Sequence, residues 1–195
     1  MLNDILKNHH LILASGSPRR QKFFKDLGLD FEIRLKPVEE ICPDRLRYSD
    51  IPDFLAQLKA IPFKETLSEN DILITSDTIV WHNNQALGKP KTKQEAFEML
   101  QSLSGNAHEV ITSICLTTNK IQKTVNSITK VFFNELTEEE IRFYIQNYKP
   151  FDKAGAYGIQ EWIGLVGIKK IEGSYFNVVG LPVHLLYKTL KTIVE

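Results

Sequence analysis

Several short stretches of this chain hold residues that could together handle a phosphorylated substrate. The first is SGSPRR, residues 15–20. Ser17 is a good helix N-cap and Pro18 suits the first helical position, so Arg19 and Arg20 fall in the first turn of a helix. Cations are disfavoured there by roughly 0.3–1 kcal/mol, and a capping box would want Glu or Gln at position 20. A bound phosphate would resolve the conflict, because backbone N–H groups and two guanidiniums would converge on one anion. The competing reading turns both arginines to solvent or toward acids such as Glu39. Asp77 sits in the apolar run ILITSDTIVW, where a carboxylate is costly unless it meets a cation, a metal or several donors. Alternatively, Ser76 and Thr78 satisfy it with their hydroxyls. Glu39 and Glu40, with Asp77 and phosphate oxygens, offer the oxygen ligands that a hard divalent ion needs, although a glutamate pair is usually a solvated edge. Lys59 and Lys89 could neutralise a polyphosphate tail, or could be ordinary surface lysines. LGKPKT is no P-loop, since the first glycine is missing and Pro follows the lysine. In DKAGAYGIQ, small residues permit close backbone approach, Tyr157 could stack, and the Gln160 amide could read a base edge. The same stretch could be merely a tight loop. His108 and His184 have no partner that spacing reveals and read as structural residues.

The elements that must carry these groups follow from periodicity and capping. LILAS, residues 11–15, is a short strand leading straight into the SPRR helix, whose apolar face is Phe23, Phe24 and Leu27 and whose stop is Gly28. Residues 30–40 read as a second strand. Residues 49–63 read as a helix with Phe54, Leu55 and Leu58 inward. Residues 72–81 form a central strand, and Asn83 and Asn84 supply the positive-φ positions of a hairpin that returns through QALGKP. A capping box of Thr92 and Glu95 opens a helix carrying Ala96, Met99, Leu100 and Leu103 before Gly105. Two alternating strands follow, then a helix opened by a Thr137 and Glu140 box and ended by Pro150. A strand near residues 162–173 and a last helix from about Pro182 complete the chain. Irregular alternation with hairpin-like neighbours implies an α/β protein with a mixed sheet and helices on its faces.

The 195 residues suit a single domain, 1–195, large enough to bury roughly 70% of its unfolded surface. Lys plus Arg and Asp plus Glu both number 24, so no general field draws nucleic acid or membrane, and an anion must be captured locally. Cys42 and Cys115 have neither metal-type spacing nor a disulfide framework, which fits reduced thiols in a cytoplasm. No stretch reads as a signal peptide or membrane span, so a soluble intracellular protein is expected.

Taken together, LASGSPRRQ at 13–21, VEE at 38–40, LKA at 58–60, SDTIV at 76–80, LGKP at 87–90, EAFEMLQSLSGNAHEVIT at 95–112, DKAGAYGIQ at 152–160 and GSYFNVVGLP at 173–182 resemble the Maf family of nucleotide pyrophosphatases over nearly the whole chain. The resemblance implies an elongated mixed α/β fold with a central cleft, like the inosine triphosphate pyrophosphatase superfamily. It implies hydrolysis of a nucleoside triphosphate between the α and β phosphates, with Mg²⁺ or Mn²⁺, and it suggests a homodimer. By motif position, Asp77 looks like the catalytic carboxylate, as base or metal ligand, and Glu40 like its metal-assisting partner. Arg20, Lys59 and Lys89 match phosphate-handling positions, with Ser15 beside them. Arg19, Thr78 and Gln160 match the type that prefers dTTP and UTP. The alternatives are a 7-methyl-GTP-type enzyme of the same fold and a non-catalytic nucleotide-binding regulator of cell division. Two departures stand out: Ser76 replaces a common Ala before the Asp-Thr pair, and WHNNQA replaces a glycine-bearing turn.

Overall fold

Capping and periodicity place most elements where the sequence expects them. The computed structural model describes residues 2–194. In chain order the elements are α1 (Leu2–Leu6), β1 (His10–Leu13), α2 (Pro18–Asp26), β2 (Phe31–Ile33), α3 (Asp50–Ala60), a 3-10 helix (Ile61–Thr66), β3 (Asp71–His82), β4 (Gln85–Leu87), α4 (Lys93–Leu103), β5 (Ala107–Thr117), β6 (Gln122–Phe133), α5 (Glu138–Tyr148), a 3-10 turn (Ala154–Ala156), α6 (Trp162–Gly167), β7 (Ile168–Glu172), α7 (Tyr175–Val179) and α8 (Val183–Ile193). The strands form one sheet in the order β2-β1-β3-β5-β6-β7, with β4 paired to β3. β1 runs parallel to β2 and β3, whereas β3–β4 and β6–β7 are antiparallel. The sheet is therefore mixed, as expected.

The chain divides into two compact units. One comprises Met1–Asp77, Thr112–Ser127 and Gly180–Glu195, and the other Thr78–Ile111 and Ile128–Val179. In the first unit, Leu11 and Leu13 of β1 pack with Phe24, Ile72, Ile74, Leu186 and Leu190. Ile12, one residue out of phase, joins Phe63 and Leu73 on the opposite face. Burial on both faces explains why β1 and the first half of β3 read as continuous apolar runs. In the second unit, Leu100 and Leu103 of α4 and Ile141, Tyr144 and Ile145 of α5 surround Val80, Val110 and Val131.

Four local expectations are corrected. The second strand stops at Ile33 and residues 34–40 have no regular structure, in keeping with Pro37, which cannot donate to a ladder. In α3, Leu55 is buried but Phe54 and Leu58 are only half-buried. At α4 the Thr92 side chain accepts from the Glu95 N–H at 3.1 Å, but Glu95 Oε2 accepts from the Lys91 N–H at 2.6 Å. The box at that helix is thus one-sided, while the Thr137–Glu140 box of α5 closes both ways. Finally, residues 162–167 form α6 and only 168–172 form a strand. Gly164 permits this, because a Cβ there would lie 1.8 Å from the Ile159 carbonyl oxygen.

Candidate active site

The SPRR turn folds as its residue types dictate, and its second arginine does not face solvent. The Ser17 Oγ accepts from the Arg20 N–H at 3.5 Å, and Pro18 occupies the first helical turn. Arg20 then turns back over the start of α2. Its Nε donates to the Gly180 carbonyl at 2.8 Å, and Nη1 to the Ser76 carbonyl at 3.0 Å and the Ser15 Oγ at 3.5 Å. Burial of the guanidinium lowers its pKa, and the Asp77 carboxylate, within electrostatic reach, opposes that shift. Ser15 is buried, and its Oγ also accepts from the Ser17 N–H at 3.3 Å. The Ser15 carbonyl accepts from Gln21 at 3.2 Å. These bonds tie the SGSPRR turn to itself and to the Ser76 and Gly180 carbonyls.

Asp77 ends the part of β3 that belongs to the first unit, and it is buried. Lys59, near the end of α3, places Nζ 2.5 Å from Asp77 Oδ1 and 3.2 Å from Glu40 Oε1. One ammonium thus bridges two carboxylates. The Asp77 side chain is 11% exposed and that of Glu40 46%, so one is enclosed and the other reaches water. Burial raises the Asp77 pKa, against the pull of Lys59 and then Arg20, while Glu40 adds to the rise. A carboxylate raised this way is a stronger base than a free one. The hydroxyl reading fails for Ser76, whose Oγ is buried with no hydrogen-bond partner.

The first unit therefore gathers Ser15, Arg20, Glu40, Lys59 and Asp77. Arg19 is half-buried beside Arg20 and its charge lowers the Arg20 pKa. Thr78, Lys89 and Gln160 belong to the second unit. Thr78 follows Asp77 on β3, Lys89 is exposed after β4, and Gln160 is exposed beyond the AGA turn. Gln160 also lines a pocket of about 380 Å³ with Tyr175, Lys169, Lys170 and apolar residues of α6 and β7.

Two neighbours of the site escape sequence reasoning. Gly180 supplies the carbonyl that aims Arg20 across 160 residues of sequence, and only its place in GSYFNVVGLP hinted at a role. Cys42 lies close enough to Asp77 that the carboxylate helps burial push its thiol pKa up. His108 is structural as expected: Nε2 is hydrogen-bonded to Tyr157 Oη at 2.7 Å, and burial drops its pKa to about 3.

Glu40 and Asp77 are the two carboxylates here that could ligate a divalent ion. Glu40 and Asp77 flank one cation already, and among the described residues no group of three His, Cys, Asp or Glu side chains gathers. Two carboxylates with remaining positions left to water and phosphate is the arrangement Mg²⁺ favours.

Similarity to known proteins supplies the family. The family described as Maf-like protein matches residues 10–193. Over the full length of both chains, the protein is 60% identical to a protein of Christiangramia forsetii named dTTP/UTP pyrophosphatase. It is 59% identical to a Flavobacterium johnsoniae protein of the same name, again over the whole of both chains. Among solved structures, the Staphylococcus aureus Ham1 protein superposes with a TM-score of 0.56 at 17% identity, covering 94% of this chain and 99% of that one, which is a likeness of fold. With the family model matched over residues 10–193 and relatives 59% and 60% identical over their full length, this chain belongs to the Maf-like family.

Proposed function

We propose that this chain is a nucleoside triphosphate pyrophosphatase that hydrolyses dTTP and UTP to the monophosphate and pyrophosphate. The observation that carries the reading is the buried Asp77 carboxylate, with its raised pKa, held by Lys59 beside the Arg20 guanidinium. The relatives named dTTP/UTP pyrophosphatase support the choice of substrate.

In this reading the backbone of the SGSPRR turn and Arg20 bind the phosphates, and Arg20 is pre-aimed by Gly180 and Ser76, so little ordering is needed on binding. Asp77 accepts a proton from the attacking water as the bond between the α and β phosphates breaks. Lys59 keeps Asp77 ionised before that step and balances charge as the pyrophosphate leaves. Glu40 and Asp77 would hold a Mg²⁺ or Mn²⁺ ion, which, when bound, supplies Lewis acidity toward the phosphate oxygens. By motif position, Lys89 is a phosphate-handling residue, and Arg19, Thr78 and Gln160 are the base-selecting ones. Both cysteines are free and no described helix is long and apolar enough to cross a membrane, which suits work on a cytoplasmic nucleotide pool. We place the enzyme there, as a homodimer without a nucleic-acid partner.

The test is pyrophosphate release from dTTP, UTP, CTP, dATP, GTP and 7-methyl-GTP with Mg²⁺ or Mn²⁺, for wild type and Asp77→Asn. Turnover of dTTP and UTP that falls at least a thousandfold in the variant supports the reading. Preference for 7-methyl-GTP overturns the base assignment, and hydrolysis of no triphosphate overturns the enzyme.

A further inference from the structure

Gln160 stands in a turn with unusually firm supports. The Glu161 N–H donates to the Gly158 carbonyl at 3.0 Å, so Gly158–Glu161 is a four-residue turn with Gln160 at its third position. The turn is pinned at both ends by the core of its own unit. The Gly158 N–H donates to Tyr144 Oη at 3.0 Å, and Tyr144 Oη donates in turn to Glu161 Oε2. The other carboxylate oxygen, Oε1, lies 3.0 Å from Lys153 Nζ, whose side chain is only 8% exposed. Lys153 also pairs with Asp152 at 2.6 Å. Glu161 occupies the N-cap position of α6, yet makes no capping bond. A side chain that could cap a helix is instead used to tie the turn down. Tyr144 is a fully buried residue of α5, so the anchor is part of the packed interior. Burial and the Glu161 carboxylate raise the Tyr144 pKa, which keeps its hydroxyl protonated and donating. The two glycines fit the same purpose: a Cβ at Gly158 would come within 3.0 Å of both Glu161 Cδ and Lys153 Cε, and one at Gly164 would strike the Ile159 carbonyl.

An exposed amide that reads a base must keep its orientation without help from packing around its own side chain. Here the residue itself is exposed, while Gly158 is held through its backbone N–H by Tyr144 and Glu161 through its carboxylate by charge-assisted bonds to Tyr144 and Lys153. We infer that Tyr144, Glu161 and Lys153 are positioning residues for Gln160, and that this network, rather than Gln160 alone, sets the base selectivity of the enzyme. The inference rests on the reading of Gln160 as the base-selecting residue.

The experiment measures kcat and KM for dTTP and CTP, which differ in the donor and acceptor pattern of the base edge. The proteins are wild type, Gln160→Ala, Tyr144→Phe, Glu161→Gln and the Tyr144→Phe/Gln160→Ala double variant, all full length. Losing the Tyr144 hydroxyl should reduce the dTTP-over-CTP ratio of kcat/KM roughly tenfold, the scale of one hydrogen bond to a charged group. The loss should fall mainly on KM for dTTP. The double variant should be no less selective than Gln160→Ala, because the two changes disable one device. Glu161→Gln keeps the shape and an acceptor for Tyr144 but drops the charge facing Lys153, and should lie between wild type and Tyr144→Phe. It also serves if Tyr144→Phe does not fold. Selectivity that survives in Tyr144→Phe and Glu161→Gln while Gln160→Ala loses it overturns the inference and leaves the proposed function intact. Selectivity that survives in Gln160→Ala overturns it as well, by removing the reader. A wild type that cleaves neither nucleotide refutes the proposed function itself.

Discussion

Replacing Lys59 by Met tests whether the pairing in the first unit is as tightly coupled as its geometry implies. Methionine keeps an unbranched stem, with a thioether sulfur in place of one methylene, and removes the ammonium, leaving Asp77 a buried carboxylate without its nearest cation. Removing one partner of a buried pair costs about 3–5 kcal/mol. The Lys59 side chain keeps 19% exposure and that of Asp77 11%, so the low end, about 3 kcal/mol, is expected. For a chain of this size each kcal/mol moves Tm by roughly 2–4 °C, giving a fall of about 6–12 °C. The assay is urea and thermal unfolding at pH 7.5 of a double-mutant cycle over Lys59→Met and Asp77→Asn. The amide introduced by Asp77→Asn carries no charge to strand, and Lys59 retains Glu40 at 3.2 Å, so Lys59→Met should cost far less in that background. A coupling energy of about 2 kcal/mol or more is expected. Additivity within about 0.5 kcal/mol would refute the coupling, and with it the claim that Lys59 holds Asp77 in its ionised form.

Two further outcomes follow from the second unit. Gly155 has φ +66° and an added Cβ would sit 2.8 Å from Val80 Cγ2, so Gly155→Ala should destabilise by about 2 kcal/mol, from left-handed strain and overpacking together. Val80→Ala in the same chain should relieve the clash but not the strain, and a Tm equal to wild type for Gly155→Ala alone would contradict the packing described. His108 is held neutral in the fold, its pKa taken from 6.5 to about 3 by burial and then by the charge of His82. The unfolded chain gains its proton first, so stability is full above pH 6.5 and is lost as pH falls toward 3. About 2 kcal/mol should be gone by about pH 5, and urea unfolding of His108→Gln should show a flatter pH dependence over that range.

What the sequence determined by itself was local. Ser17-Pro18 began α2, the Thr137–Glu140 box began α5, Asn83 and Asn84 turned a hairpin with φ of 48° and 60°, and the run around Asp77 made β3. Each of these depends on a few neighbouring side chains and their backbone preferences, which are present in any short window. The misplaced strand at 162–167 shows where that limit lies, since IGLVGI is apolar enough for either state and the choice fell to Gly164, which lets the Ile159 carbonyl approach. The site followed the same division. Asp77 in an apolar strand and two arginines at a helix start were anomalies visible in the sequence, because each was a charge in a place that disfavours it. Their partners were not visible. The Gly180 carbonyl under Arg20, Lys59 against Asp77 and Tyr144 beneath Gly158 are pairs separated by 160, 18 and 14 residues in the chain. The tertiary structure alone brought them within hydrogen-bond distance, since the energy of burying a charge says that a partner must exist and the packing of the chain decides which one it is.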